Sequence, residues 1–240
     1  MDETLIIVPT YNERENITPL LQQIFAAVHS VHVLFVDDNS PDHTAQEIRK
    51  AALDFPGQVF LEERQQKEGL GKAYLHGFDW ALRRQYHFIF EMDADLSHPP
   101  SRLPEMITLL KGDVAVVVGS RYLNGVHVVN WPKSRILLSR VASLYVRFML
   151  GLPVKDPTAG FVGYRRSALS ALDLSKVSFV GYAFQIEMKF KLWRKGFFIK
   201  EIPIVFFNRE RGQSKMNSSI IWEAIFGVIY LKFTTIKKQR

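Results

Sequence analysis

Through its first 120 residues the chain alternates short, nearly continuous apolar runs with longer segments of helical period, and this alternation restricts the fold more than any other feature. Leu5 to Val8, Val31 to Val36, Val59 to Leu61, Phe88 to Phe90 and Val114 to Val118 lack the every-second-residue polarity of a half-exposed strand. Strands buried on both faces read this way. Between them Ile17, Leu20, Leu21, Ile24, Phe25 and Val28 recur at helical spacing, and Thr44 to Leu53, Ala73 to Arg84 and Leu103 to Leu110 continue the pattern. The sequence therefore predicts an α/β fold, a mostly parallel sheet with helices on both faces. Ligands of such sheets bind at the carboxyl ends of the strands.

Those ends carry the polar chemistry. They read Pro9-Thr10-Tyr11-Asn12-Glu13, Asp37-Asp38-Asn39-Ser40, Asp93-Ala94-Asp95 and Gly119-Ser120-Arg121. The third follows Phe88-Ile89-Phe90-Glu91-Met92 and is stopped by Pro99-Pro100. If the strand runs through the motif, Asp93 and Asp95 share one face, and two carboxylates that close repel unless a cation lies between them. Hard divalent ions such as Mg²⁺ or Mn²⁺ favour oxygen ligands and complete their shell with water or substrate phosphates. Alone, the Asp-Ala-Asp triplet equally describes a solvated acidic loop; its place at a strand end, beside three other polar ends, favours the metal seat.

Charge divides the chain. Residues 1–113 hold 10 Lys and Arg against 18 Asp and Glu, whereas residues 114–240 hold 21 against 6, net −8 and +15. An acidic front and a basic back suit a metal-binding half joined to a half that meets something anionic, such as phosphates, lipid headgroups or nucleic acid. Nucleic acid fits poorly, because the acidic half would repel its backbone. The chain has no cysteine, which excludes disulfides and thiolate metal sites. The acidic start Met1-Asp2-Glu3 runs straight into a strand, so no secretory leader is expected.

In the second half Arg135 to Leu150 forms a basic amphipathic helical pattern, suited to a membrane surface or to ordinary packing. Gly160 to Tyr164 and Ile199 to Phe207 read as strands, and Phe184 to Trp193 as a helix. The tail, Ile220 to Phe233, is apolar nearly all round but shorter than the roughly 20 residues of a span and interrupted by Glu223 and Lys232. The expected organisation is a domain over 1–215, with halves 1–120 and 121–215, and a membrane-associating or packing helix over 216–240.

Taken in order, Val8-Pro9-Thr10-Tyr11-Asn12-Glu13, Val36-Asp37-Asp38-Asn39-Ser40-Pro41-Asp42, Gly69-Leu70-Gly71, Met92-Asp93-Ala94-Asp95, Gly119-Ser120-Arg121-Tyr122, Asp156-Pro157-Thr158-Ala159-Gly160-Phe161 and Arg209-Glu210-Arg211-Gly212-Gln213-Ser214-Lys215 resemble the family 2 glycosyltransferases of GT-A fold. Within that family the chain is similar to the polyprenol-phosphate (dolichol-phosphate) mannose synthases of the short type without transmembrane helices. The resemblance implies a nucleotide pocket of Pro9, Tyr11, Glu13, Val36 and Asp38, and a Mg²⁺ or Mn²⁺ site on Asp93 and Asp95 beside the donor diphosphate. It implies that Arg121, Arg135 and Ser139 meet the acceptor phosphate, and that Arg209 and Lys215 belong to a basic loop closing over the donor. Asp95, Arg121 and Arg209 would be the catalytic set. One departure is Ser97, where the family often has Gln.

The implied reaction is inverting transfer of mannose from GDP-mannose to a polyprenyl or dolichyl monophosphate. The nucleophile, a phosphate oxygen, is already ionised, which accords with the lack of a His–carboxylate pair in the motifs. Glucose or another sugar on UDP is the alternative, and a non-catalytic membrane-associated scaffold the alternative of another class. The implied setting is peripheral, on the cytoplasmic side of a membrane, alone, as a homo-oligomer or with a membrane-anchored partner subunit.

Overall fold

The computed structural model describes residues 4–181, 183–209 and 218–236. Seven strands form one sheet: β1 (Thr4–Thr10), β2 (His32–Asp37), β3 (Val59–Glu63), β4 (Phe88–Glu91), β5 (Val116–Ser120), β7 (Val162–Arg165) and β8 (Ile199–Pro203). Their order is β3-β2-β1-β4-β7-β5-β8. All run parallel except β7, which lies antiparallel between β4 and β5. Two further segments, β6 (Val128–Val129) and β9 (Phe206–Phe207), pair as a separate ribbon. The helices are α1 (Arg14–Ala27), α2 (Thr44–Ala51), α3 (Leu70–Arg83), α4 (Leu103–Lys111), α5 (Lys133–Leu150), α6 (Arg166–Ser170), α7 (Ala183–Arg194) and α8 (Ser218–Ile236).

Successive strand residues point to opposite faces, and here each face has its own core. Leu5, Ile7, Leu34, Val36, Ile89, Val116 and Val118 pack with α3, α6 and α7. Ile6, Val8, Val33, Phe35, Phe90 and Val117 pack with α1, α2 and α4. Both faces being covered explains the continuous apolar runs of the strands. A third, smaller core joins Val146 and Leu150 of α5, Ile186 and Phe190 of α7, and Val228 and Leu231 of α8.

Two strand expectations need correction. The single strand expected over Ile199 to Phe207 is divided: after Pro203 the side chain of Ile204 turns into the core, and Phe206 and Phe207 leave to pair with β6. The strand expected over Gly160 to Tyr164 begins two residues later, as β7 from Val162, and its close approach to β4 depends on Gly163. A methyl there would stand 2.4 Å from Phe90 Cε1, so only glycine lets β7 approach β4. No helix among the described residues is long and apolar enough to cross a membrane.

Candidate active site

The carboxyl ends of β1, β2, β4 and β5 lie on one edge of the sheet, because these strands are parallel, and the loops that follow are tied to one another. Asp37 is the knot of the first pair. It accepts hydrogen bonds from the Thr10 hydroxyl (2.8 Å), the Ser40 hydroxyl (2.6 Å) and the Ser40 amide (2.9 Å). Ser40 Oγ in turn accepts the amide of Asn12 (3.0 Å), and Thr44 Oγ1 that of Glu13 (3.0 Å). This lattice fixes the loop that the resemblance assigns to the nucleotide. Tyr11 carries the Lys67 ammonium 4.1 Å from its ring centroid. The buried Glu13 accepts a bond from Asn16 Nδ2 (2.8 Å). Asp38 faces Arg64 at 3.0 Å; burial raises its pKa, and Arg64 opposes that rise. Pro9 lies one residue from the end of β1, in register with Val36. Val36 itself points into the core and is fully buried, so it offers no side chain to a nucleotide.

The acidic pair is reached differently from the way its spacing suggests. Strand β4 ends at Glu91, and Asp93-Ala94-Asp95 lies in the turn beyond it. Leu96 takes a left-handed backbone at φ 62°, and the Ser97 amide donates to Asp95 Oδ1 (3.1 Å). His98 folds back, and its Nδ1 accepts the amide of Asp93 (3.1 Å). That bond leaves the ring proton on Nε2, 3.8 Å from Asp93 Oδ2. The imidazole is buried between Phe161, which stacks on it, and Phe206, which meets it edge-on. His98 is thus a brace of the turn. The Tyr74 hydroxyl approaches Asp93 Oδ1 at 3.3 Å. Burial raises the Asp93 pKa; His98 opposes the shift, Asp95 adds to it, and Tyr74 and Arg209 oppose it.

Arg209 Nη2 donates to Asp95 Oδ2 at 2.8 Å. The acidic turn thereby meets the basic segment directly. Lys215, expected in the same loop, lies outside the described residues.

At the end of β5 the buried Arg121 is held by Asp156: Nε donates to Oδ2 (2.7 Å), Nη2 to Oδ1 (2.7 Å), and the Arg121 amide also to Oδ2 (2.9 Å). Nη2 further donates to Thr158 Oγ1 (2.8 Å). Burial would raise the Asp156 carboxyl, but the Arg121 charge and hydrogen bonds prevail and hold it below its ordinary value. The same guanidinium faces the rings of Tyr122, Trp131 and Phe206 at 5.4–5.7 Å. Arg135, on the first turn of α5, lies 4.0 Å over Trp131 and donates to Asn208 Oδ1 (3.0 Å). Ser139, one turn on, neighbours Tyr122, whose pKa burial raises against Arg121 and Ser139.

Strand ends and helix starts thus bring Tyr11, Glu13 and Asp38 together on one side, Asp93, Asp95 and Arg209 in the middle, and Arg121 and Arg135 around Trp131 on the other. Sequence reasoning missed three of the residues that hold these groups, Arg64, Lys67 and Tyr74, and quoted Asp37 without giving it a role. It quoted Asp156 and Thr158 without giving them a role. An Asp-Pro-Thr run marks a turn, whereas its pairing with a residue 35 positions earlier has no local signature.

The family model described as glycosyl transferase family 2 matches residues 5–173. The chain belongs to this family. It is 46% identical over 225 residues to the polyprenol monophosphomannose synthase of Mycolicibacterium smegmatis, covering 94% of this chain and 85% of that protein. It is 44% identical over 224 residues to the undecaprenyl-phosphate mannosyltransferase of Micrococcus luteus, covering 93% and 91%. The fold of this family 2 glycosyltransferase is also that of glucosyl-3-phosphoglycerate synthase from Mycobacterium tuberculosis, solved with Mn²⁺, uridine diphosphate and phosphoglyceric acid: TM-score 0.71 at 16% identity, over 96% of this chain and 78% of that one. The fold is GT-A-like.

Proposed function

We propose that this glycosyltransferase moves mannose from GDP-mannose to a polyprenyl monophosphate, inverting the anomeric carbon and releasing GDP. The observation that carries the reading is the junction at Asp95. One edge of the sheet sets a carboxylate pair against the Arg209 guanidinium, with two further arginines, Arg121 and Arg135, on the flank away from the nucleotide-side loops. Two phosphate-bearing substrates, one diphosphate and one monophosphate, need that division of cations. The naming of both curated relatives as polyprenyl-phosphate mannosyl enzymes agrees.

The donor set fits a hard divalent ion. Asp93 and Asp95 supply carboxylate oxygens, and no group of three or more ligating side chains exists among the described residues. This is the sparse protein coordination that Mg²⁺ tolerates when substrate phosphates complete its shell. Bound there, Mg²⁺ or Mn²⁺ would neutralise charge on the departing diphosphate as a Lewis acid. The chain's own residues do the rest. Tyr11, Glu13 and Asp38 hold base and ribose, and Pro9 shapes that pocket. Arg209, joined by Lys215, adds fixed positive charge at the leaving phosphates. Arg135 and Ser139 hold the acceptor phosphate, and Arg121, locked to Asp156, presents an immobile charge beside it. The attacking oxygen is ionised at neutral pH, so no side chain need remove a proton.

The lipid reaches the site from α5. Leu137, Leu138, Val141, Leu144 and Phe148 (85% exposed) form an outward apolar stripe on that helix, and Phe226, Tyr230 and Phe233 are exposed on α8, which packs beside it. Exposed Lys133 and Arg140 flank it. An apolar face with a basic rim is the pattern of a peripheral membrane helix, so the enzyme works at the cytoplasmic membrane surface, or on a membrane-anchored partner subunit or second copy that covers this face.

The test is transfer from labelled sugar nucleotides to undecaprenyl phosphate, with EDTA and with Asp95→Ala. GDP-mannose should be the productive donor, EDTA should abolish transfer, and Asp95→Ala should lower the rate at least 100-fold. Transfer from UDP-glucose alone would overturn the donor, and metal-independent transfer would overturn the role of the acidic pair.

A further inference from the structure

Behind the site, between β4 and α7, lies a closed set of buried polar groups. Glu91, Gln185 and Lys189 are buried to 2% exposure or less. Glu91 Oε1 accepts the Tyr164 hydroxyl (2.9 Å), and Oε2 accepts the Gln185 side-chain amide. The Gln185 oxygen faces the other way and accepts from Lys189 Nζ (3.1 Å). One amide thus links a buried anion to a buried cation. The ammonium has two further acceptors, the Gln185 carbonyl (3.2 Å) and, at the shortest distance, the Ala159 carbonyl (2.7 Å). All three of its protons are therefore used.

Ala159 is the middle of the loop that joins the two halves of the site. On one side of it, Asp156 and Thr158 hold Arg121. On the other, a methyl placed on Gly160 would stand 3.5 Å from His98 Cε1 and 3.8 Å from Asp93 Oδ2, and Phe161 stacks on the His98 ring. Apart from the Lys189 bond, the Ala159 backbone is held by its amide donating to the Asp156 carbonyl (3.2 Å), a bond within the loop itself. A fully buried lysine is expensive to keep. If it served only to neutralise Glu91, an apolar pair would do as well.

We propose that Lys189 is a positioning residue for transfer. Its ammonium, oriented by Gln185 and Glu91, pins the Ala159 carbonyl so that the 156–161 loop holds Arg121 and the Asp93–His98 turn at fixed separation. The inference rests on the reading of this edge as the transfer site. It is separable from that reading, because its first readout needs no substrate.

The first readout is hydrogen exchange of the Arg121 Nε–H by nitrogen-15 NMR in the substrate-free protein, assigned by its loss in Arg121→Lys. In Lys189→Met this proton should lose at least tenfold in protection while core amides of β1 and β5 keep theirs. The second is kinetic. With GDP-mannose and undecaprenyl phosphate, Lys189→Met should lower kcat at least tenfold and raise the donor KM by a smaller factor, since the 156–161 loop holds Arg121 and the acidic turn whereas Tyr11, Glu13 and Asp38 sit on the loops after β1 and β2. The double variant Glu91→Gln/Lys189→Met removes both buried charges and carries the test where the single variant folds poorly. It should regain thermal stability and not the rate. Parental Arg121 Nε–H protection in Lys189→Met, or a parental rate in the double variant, overturns the proposal. If wild type transfers from no mannose donor, the functional reading fails, and the NMR result still decides the role of Lys189.

Discussion

Asp156→Ala would leave the Arg121 guanidinium inside the protein without its counter-charge. Removing one partner of a buried, bidentate pair costs about 3–5 kcal/mol, most of it the stranded charge rather than the lost bond. We therefore expect Asp156→Ala to lower stability to denaturant by that amount and to reduce transfer with it. Ser97 poses the opposite case. Its side chain is buried at 1% exposure, and Oγ has no hydrogen-bond partner among the described residues. Deleting a buried hydroxyl that bonds to nothing relieves its desolvation cost, on the order of 1 kcal/mol. Ser97→Ala should hold or raise the melting temperature, and a fall would show that the hydroxyl has a partner in solution. The Ser97 carbonyl accepts the Phe207 amide (3.3 Å), which ties the acidic turn to the ribbon of β6 and β9 through the backbone and not through the hydroxyl.

At the scale of elements, the packing of α7 on β4 makes stability depend on pH. Burial pushes Glu91 from its ordinary 4.5 up to about 7, and burial pushes Lys189 from 10.5 down to about 8. A carboxyl raised on folding destabilises increasingly as pH climbs from 4.5 to about 7, because the unfolded chain gives up its proton first. A lysine lowered on folding carries its cost below about 8 and sheds it as pH climbs towards 10.5. Relative to Glu91→Gln/Lys189→Met, the parent should therefore lose stability from pH 4.5 to 7, reach its minimum between 7 and 8, and recover above 8. Chemical denaturation across that range reads it out, and a flat difference would exclude the buried charges. The same layer shows what the sequence could and could not tell. Strands β1, β2, β4 and β5 were legible because burial on both faces makes them continuously apolar. The direction of β7 was not, since four residues carry no signal of orientation; Gly163 against Phe90 accounts only for how closely it packs on β4. The acidic pair was legible as chemistry but not as geometry: Asp93 and Asp95 converge through the His98-braced turn beyond the strand. Arg121 stood out in the sequence as a candidate at a strand end, and its confinement by Asp156 did not, because pairing across 35 residues is set by tertiary structure alone.

Over the whole molecule, the division of net charge into −8 for residues 1–113 and +15 for residues 114–240 meets the distribution of exposed apolar surface. The outward stripe of α5 and the exposed apolar residues of the neighbouring α8 both belong to the basic part of the chain. Apolar burial and attraction to anionic headgroups would then act on one face, and they respond to different conditions. The electrostatic part is screened as the Debye length falls from about 10 Å at 0.1 M salt to about 3 Å at 1 M, whereas the apolar part persists. We expect co-sedimentation with vesicles containing anionic lipid to be strong at low salt, to weaken severalfold by 1 M, and to be poor with purely zwitterionic vesicles. Leu144→Glu/Phe148→Glu should abolish binding at every salt concentration. Both side chains are already in water, so the change should alter folding stability by no more than about 0.5 kcal/mol. Unchanged vesicle binding by this variant would assign the stripe to a protein partner or a second copy of the chain, and a salt-insensitive affinity for anionic vesicles would remove the basic half from any part in docking.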